Sequence, residues 1–185
     1  MVFFVAALVV ALLIVPLTKG SFQRLSRLQF RLLWLLLLAL ILQFALEVVD
    51  FPEARIDDVG FALLMLSYAM ILGWCFLNRR VGGMAIIAFG IFLNIIVIAA
   101  NQGMPTKDDV VTRAGREVHV PIEHTVKHKP EEESDNLGFL GDKLSLPRVP
   151  NEQFSIGDIV ICLGIIDLCF EASRVPKRRG IAVTN

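Results

Sequence analysis

Long apolar runs and short polar segments alternate along this chain. The runs are Val2–Leu17, Leu32–Leu46, Val59–Leu77, Val81–Ala100 and Ile156–Phe170. A helix needs roughly 17–25 apolar residues to cross a hydrocarbon core about 30 Å thick, so the shorter first and fifth runs would recruit flanking residues or thin the bilayer locally. Because backbone groups in lipid must be hydrogen-bonded within their own segment, each run predicts a helix. The pattern predicts an all-α membrane protein, a bundle of five transmembrane helices with one long extracytoplasmic loop.

Charged residues are distributed unevenly among the linkers, although the formal net charge is zero. The segments Thr18–Arg31 and Asn78–Gly83 and the tail from Ser173 carry lysine and arginine but no acid, whereas Val49–Asp58 is mainly acidic. Linkers rich in lysine and arginine face the cytoplasm in multi-pass proteins. The chain is therefore predicted to lie in the cell membrane as a multi-pass protein, with its N-terminus outside and its C-terminus in the cytoplasm.

Three regions follow from this topology. Residues 1–100 would hold four transmembrane helices, and their short linkers predict that consecutive helices pack as neighbours. Residues 101–155 would form the extracytoplasmic loop, whose polar middle predicts a flexible surface segment or short strands. Residues 156–185 would hold the fifth helix and a basic cytoplasmic tail.

Four short motifs occur in order along the chain. They are K-G-S-F-Q-R-L-S-R-L-Q-F-R after the first apolar run, N-Q-G-M-P at 101–105, L-G-D-K at 140–143 and S-I-G-D at 155–158. Together they resemble a bacterial membrane family known as domain of unknown function 5317, and the resemblance covers nearly the whole chain. It implies a bacterial cytoplasmic membrane but no activity, cofactor or partner.

A weaker likeness concerns lipoprotein signal peptidases, which are four-helix aspartyl proteases. Asn101 with Gly103, then Asp142, then Asp158 are similar to their motifs in order and membrane side. The likeness implies an intramembrane hydrolase with Asp142 and Asp158 as catalytic residues. This sequence departs from those enzymes because Asp142 stands in a loop G-D-K, Gly157 replaces the alanine before the second aspartate, and there is one helix more.

The same two aspartates also have structural interpretations. A pair of carboxyl groups sharing one proton can activate water for peptide hydrolysis. However, Ser155 and Asp158 have the spacing of a capping box, in which the acid at the third helical position bonds back to the N-cap amide. Asp142 would then belong to a Gly-Asp turn that closes the loop. The capping interpretation is favoured for Asp158.

The turn residues on the outer side form a candidate cluster. Asn101, Gly103 and Pro105 are typical of a helix end, because asparagine and glycine terminate helices and proline cannot continue one. Alternatively, all three turn motifs converge, and the segment Asn101–Pro105 lines an outer surface with Asp142, Ser155 and Asp158. Such a surface would bind a partner.

An acid within the fifth apolar run is the second candidate feature. Asp167 would lie near the middle of the membrane, where a carboxyl group is costly and must find a polar partner. Asn94 on the fourth run is at similar depth, so an Asp167–Asn94 bond is predicted. This bond would be either helix-packing glue or part of a proton-linked carrier site.

The three histidines do not form a convincing metal site. His119, Glu123, His124 and His128 lie in a proline-containing segment without amphipathic period, so surface histidines are favoured over zinc ligands. No metal, cofactor or nucleic acid is expected, and the predicted partners are the lipid bilayer and other membrane subunits. The leading hypothesis is a non-enzymatic accessory or partner-binding subunit, with the aspartyl hydrolase and the carrier as alternatives.

Overall fold

The computed structural model describes residues 2–48, 56–107, 109–111, 117–119, 125–145 and 153–174. The described part is mostly helical, and its helices are α1 Val2–Leu17, α2 Phe22–Leu25, α3 Leu33–Val48, α4 Phe61–Leu77, α5 Met84–Asn101 and α6 Ile156–Ala172. A π-helical turn, Ile56–Gly60, leads into α4. Each of the five predicted apolar runs therefore contains one long helix.

Two of these helices are long and apolar enough to cross a membrane, namely Asp58–Leu77, which includes the end of the π turn, and Met84–Asn101. Two further apolar segments, Phe3–Leu17 and Leu33–Val48, are shorter. The helical fold is confirmed, whereas the prediction that all five helices are transmembrane goes beyond this finding. A five-span arrangement is therefore a proposal.

The long helices pack in the spatial order α3, α4, α5, α6, α1. The prediction that the first four helices pack as consecutive neighbours is wrong for α1, which packs against α6. A small cluster of Ala11, Val15 and Cys169 joins α1 to α6, while the main core surrounds Leu64 and Met84 on α4 and α5. The helices at the two ends of the row, α1 and α3, each have one main neighbour and expose most of their large apolar side chains.

Glycines bring α5 and α6 into backbone contact. A Cβ atom on Gly90 would lie 2.6 Å from the carbonyl oxygen of Gly157, and one on Gly164 would lie 2.7 Å from the backbone nitrogen of Ile87. Small residues allow such close approach between apolar helices. This pairing positions the first turn of α6 against the middle of α5.

The two ends of the helix row differ in charge. At one end, here called the basic end, the Arg31 backbone bonds to the Asn78 side chain, Ser21 donates to the Ser173 carbonyl, and Arg174 reaches Thr18. The three acid-free segments of the sequence therefore meet in space.

The opposite end, here called the cap end, carries the segment between α5 and α6. Lys127 lies 4.0 Å from Glu47 at the end of α3, Gly60 lies under Val126, and the ring of Phe154 stacks on Phe3. The described acid-free linkers and the segment between α5 and α6 thus lie at opposite ends of the row, while the side of a membrane that each end faces stays a prediction.

The segment between α5 and α6 is called the cap below. Its described part contains three two-stranded sheets. Strand β1 (Met104–Thr106) pairs in parallel with β4 (His128–Pro130), with Met104 opposite His128. The antiparallel pairs are β2 (Asp109–Val111) with β3 (Glu117–His119), and β5 (Leu144–Ser145) with β6 (Gln153–Phe154). A 3-10 turn, Gly138–Leu140, lies between β4 and β5. Short strands, one of the two alternatives from the sequence, are therefore present.

Candidate functional site

The end of α5 is fastened to the cap by Asn101. Its amide nitrogen donates to the carbonyl oxygens of Val97 at 2.9 Å and Asn136 at 2.8 Å, and its Oδ1 accepts from the Asn136 backbone N–H at 2.8 Å. Asn101 therefore both ends α5 and attaches the segment around Asn136 to it. Asn136 is a partner that spacing along the chain does not reveal.

Gln102, which follows, has left-handed backbone with φ of 55°. Glycine adopts this conformation without the steric penalty that a side chain adds, and Gln102 is exposed. Gln102→Gly is expected to raise the free energy of unfolding by about 0.5–1 kcal/mol, because relief of the left-handed strain exceeds the extra backbone entropy of glycine, as measured by denaturation in mixed micelles. As a control, Gln23→Gly in the right-handed turn of α2 should be destabilising; stabilisation by both variants would contradict the explanation.

Strand β1 connects the N-Q-G-M-P turn to Asp142. Gly103, Met104 and Pro105 are buried, and the Pro105 carbonyl accepts from the Asp142 backbone N–H at 2.9 Å. Gly141 fits closely against the same carbonyl. Two of the sequence motifs, 101–105 and 140–143, are thereby brought together.

Asp142 is buried, with 8% of its side chain exposed. Its Oδ2 lies 3.4 Å from Nδ1 of His128, which is also 3.4 Å from the hydroxyl of Thr106. Its Oδ1 is buried and has no hydrogen-bond partner in the described part of the chain. Backbone hydrogen bonds thus hold the turn that carries Asp142, while the carboxylate oxygen Oδ1 accepts no hydrogen bond from the described residues.

The first turn of α6 contains the predicted capping box. The Ser155 hydroxyl accepts from the Asp158 backbone N–H, and the Asp158 carboxylate accepts from the Ser155 N–H, both at 3.0 Å. Asn94 on α5 adds two bonds, donating to Asp158 Oδ1 at 2.9 Å and accepting from the Ser155 hydroxyl at 2.9 Å. The capping prediction is confirmed, and the network also locks α6 onto α5.

The predicted Asp167–Asn94 bond is wrong, because the side chain of Asn94 is taken up by Ser155 and Asp158. Among the described residues, Asp167 has no hydrogen bond or salt bridge, and it is partly exposed. Asp167 lies about 8 Å from the end of α6 at ~1.5 Å per residue, next to Leu168, which contacts Gly83 at the start of α5.

Asp142 and Asp158 are held by different partners. No hydrogen bond joins the two carboxyl groups, since one pairs with His128 and the other with Ser155 and Asn94. The arrangement therefore lacks the direct carboxyl-to-carboxyl contact of an aspartyl dyad.

His128 and Asn136 are the residues of this region that reasoning from the sequence did not connect to the candidate cluster. His128 lies beside Asp142, and Asn136 is hydrogen-bonded to Asn101. Both partners are far along the chain from the residues they contact, so local spacing gave no signal for them.

Two ion pairs stiffen the cap near α5. Lys129 lies 2.7 Å from Asp135, whose side chain is 4% exposed, and Lys143 pairs with Glu131. Burial of Asp135 opposes ionisation, but the Glu132 backbone N–H and the Lys129 ammonium outweigh it, so the pKa of Asp135 is below its ordinary value. The hydrogen bond to Asp135 raises the pKa of Lys129.

These shifts predict a pH dependence of cap stability. The lowered pKa of Asp135 contributes stability at pH values above its unfolded pKa of about 3.9, and this contribution is lost as the pH falls through the folded pKa. The raised pKa of Lys129 contributes below its unfolded pKa and is lost as the pH rises through the folded value. Asp135→Asn should therefore flatten the acid limb of a stability profile, whereas the exposed Glu133→Gln should not; equal profiles would contradict the pair's role.

The remaining histidine-region residues are only partly described. His119 lies in β3, while Glu123 and His124 lie outside the described residues. Of the histidines that the structure describes, His128 contacts another predicted site residue, Asp142. In the described ranges, no three residues among histidine, cysteine, aspartate and glutamate come together as metal ligands.

Comparison with known proteins gives one family. The model of a family of unknown function, DUF5317, matches residues 27–170, which include α3, α4, α5, the segment between α5 and α6, and most of α6. No curated protein and no solved structure matches the chain, and the likeness to lipoprotein signal peptidases is not supported. Because the match covers most of its length, the chain belongs to the DUF5317 family.

Proposed function

We propose that this chain is a small integral membrane protein in which all five long helices cross the bilayer, and that it acts as a non-enzymatic accessory or partner-binding subunit. The observation that carries the membrane assignment is the apolar surface of the helices. Large side chains on α1 and α3 are widely exposed, including Leu13 at 55%, Ile41 at 64% and Phe44 at 68%. Each would cost about 1.5–3 kcal/mol to leave in water.

The two longest apolar helices support the same assignment. Only 39% of the span Asp58–Leu77 and 33% of Met84–Asn101 is buried within the chain. A core helix of a water-soluble protein is mostly buried, so lipid is the natural cover for the rest of these surfaces. Because the helices lie side by side in a single row, even the central helices α4 and α5 leave apolar side chains exposed.

The orientation is inferred from charge. The basic end gathers the acid-free linkers, which the positive-inside rule assigns to the cytoplasm. The cap end, with Glu131, Glu132 and Glu133, would face outward. This places the N-terminus outside and the C-terminus inside.

The non-enzymatic assignment rests on how the outer cluster uses its polar groups. Asn101 holds the loop, Pro105 holds Asp142, and Ser155 with Asp158 caps α6. These contacts organise a surface. A hydrolase would need Asp158 free to share a proton with Asp142, whereas Asp158 bonds to Ser155 and Asn94. A carrier would need Asp167 to line a polar path. No specific observation favours either alternative.

Orientation is tested by single-cysteine labelling. Glu133→Cys at the cap end and Arg79→Cys at the basic end introduce exposed thiols, while the native Cys75, Cys162 and Cys169 are buried. A membrane-impermeant maleimide should label Glu133→Cys in intact cells and Arg79→Cys only after permeabilisation, with the unsubstituted chain as background. The reverse pattern would overturn the orientation, and release of the chain by alkaline carbonate would overturn membrane integration.

The accessory role is tested at the two edges of the row. A photo-reactive residue replacing Leu13 on α1 or Ile41 on α3 should give a discrete protein adduct from at least one edge, because each edge helix has a single main neighbour. Phe89 on α5, 55% exposed in the middle of the row, is the comparison site. Lipid adducts alone at all three positions would contradict partner binding.

A further inference from the structure

The basic end of the helix row gathers cations that no acid neutralises. In the part of the chain that the structure describes, every ion pair lies in the cap or joins the cap to the end of α3. Residues 175–185 contain no acidic side chain that could compensate. The exposed cations of the basic end are Lys19, Arg24, Arg27, Arg31, Arg79, Arg80 and Arg174. Like charges gathered in this way attract an anion from outside the chain.

Two of these arginines are fixed at the seam between the ends of α1 and α6. The Ser173 carbonyl accepts from Nη1 of Arg24 at 3.1 Å and from the Ser21 backbone N–H at 2.9 Å. Nη2 of Arg174, the next residue along the chain, donates to the Thr18 carbonyl at 3.4 Å. Hydrogen bonds across the seam thus hold both guanidinium groups in one small cluster.

Capping of the two helix ends explains only part of this arrangement. Arginine near a helix C-terminus bonds to free carbonyls and complements the helix dipole, and the bond that each arginine makes here serves that purpose. A guanidinium group has five N–H donors, and both Arg24 and Arg174 are exposed. The donors that remain have the planar geometry that binds a phosphate group through two bonds.

The apolar side chains at this end select the class of anion. Leu17, the last residue of α1, is 79% exposed, and Phe22 on α2 and Trp34 at the start of α3 are exposed as well. A nucleic acid or an acidic peptide would leave these side chains in water. A phospholipid covers them with its acyl chains while its phosphate meets the cations, and aromatic side chains beside basic residues are typical of a membrane interface.

We propose that the seam between α1 and α6 binds the headgroup of an anionic phospholipid through Arg24, Arg174 and Lys19. Lys19 follows Thr18 at the seam, and its ammonium makes no hydrogen bond to the described residues, so it is free to add a third positive charge. The acyl chains would lie along the exposed apolar side chains of α1, such as Leu13 and Leu17. The proposal rests on the membrane assignment above, because a bilayer supplies the ligand.

The test uses the full chain in micelles of an uncharged detergent that contain equal amounts of phosphatidylglycerol and phosphatidylcholine. Native mass spectrometry counts the lipids that stay bound, and the unsubstituted chain should retain phosphatidylglycerol in preference. Replacing both arginines, Arg24→Gln with Arg174→Gln, should reduce this preference about tenfold or more, because each basic residue contributes several-fold to the affinity for an anionic lipid. Lys107→Gln is the matched control, because it removes an exposed cation from the cap end, and it should leave the preference unchanged.

Two further measurements keep the test decisive if the double arginine variant folds poorly. Lys19→Gln removes a charge without removing a described hydrogen bond, and it should reduce the preference about fivefold. Added salt should weaken the retention of phosphatidylglycerol by the unsubstituted chain, because exposed charges are screened. An excess of soluble glycerol phosphate should not displace the lipid; displacement would overturn the lipid in favour of a free phosphate anion.

Equal retention of the two lipids by the unsubstituted chain would overturn the site. The same holds if the double arginine variant keeps the preference of Lys107→Gln. Micelles have no inner or outer side, so these results do not depend on orientation. The maleimide and carbonate experiments above therefore test the membrane assignment separately from the lipid site.

Discussion

Asp158→Ala is expected to lower the free energy of unfolding by about 2–4 kcal/mol, because one side chain serves both the cap of α6 and its attachment to α5. Loss of the carboxylate leaves the Ser155 N–H and the Asn94 amide without partners, and an unsatisfied buried donor costs about 1–3 kcal/mol. It also removes a negative charge from the positive end of a helix, worth about 0.3–1 kcal/mol. Unfolding in mixed micelles measures the total.

The matched control is Asp167→Ala on the same helix. Asp167 has no hydrogen bond or salt bridge to the residues that the structure describes, so its removal should change stability far less. A double-mutant cycle with Asn94→Ala isolates the inter-helix bond, and a coupling of about 1 kcal/mol or more is expected. If Asp158→Ala is no more damaging than Asp167→Ala, the network does not hold α6 in place.

This network explains which features could be predicted from the sequence. The helices follow from the length of the apolar runs, and the capping box follows from the local spacing of Ser155 and Asp158. Both depend on residues within one or two turns of each other. The partner of Asn94 depends instead on the register between α5 and α6, which the sequence pattern leaves open.

The predicted packing order of the helices was wrong for α1 for a related reason. Apolar runs of similar composition do not indicate which pairs adjoin, and short linkers favoured a sequential arrangement. Gly90 with Gly157 brings α5 and α6 together, and α1 then packs on α6. The missing Asp167–Asn94 bond has the same cause, because the register of the two helices places Asp167 beside the start of α5 at Gly83 rather than beside Asn94.

The candidate site was predicted in part. The motifs containing Pro105 and Asp142 do meet, through a backbone bond that turn chemistry alone did not specify. His128 lies beside Asp142, but it belongs to β4, and only the tertiary fold brings this strand to the loop. Contacts between segments that are distant along the chain are thus the hardest to find from a pattern.

Gly157→Ala is expected to be among the most destabilising single-methyl additions in the chain. The new Cβ would overlap the Asn94 side-chain oxygen and lie 2.8 Å from the Gly90 carbonyl. Asn94 cannot move away without breaking its bonds to Ser155 and Asp158, and the α5 backbone cannot yield locally. Overpacking of this kind costs about 1–3 kcal/mol, and loss of the Asn94 bonds would add to it.

A glycine elsewhere in the row gives the opposite expectation. Gly73 lies inside α4, and a Cβ there meets nothing within 4 Å, so Gly73→Ala should raise the free energy of unfolding by about 0.5–1 kcal/mol through helix propensity. The same chemical change is therefore predicted to have opposite signs at two glycines, as read from unfolding in mixed micelles. Destabilisation at both positions would mean that glycine serves helix flexibility in this protein, and stabilisation at both would mean that α5 and α6 are not in backbone contact.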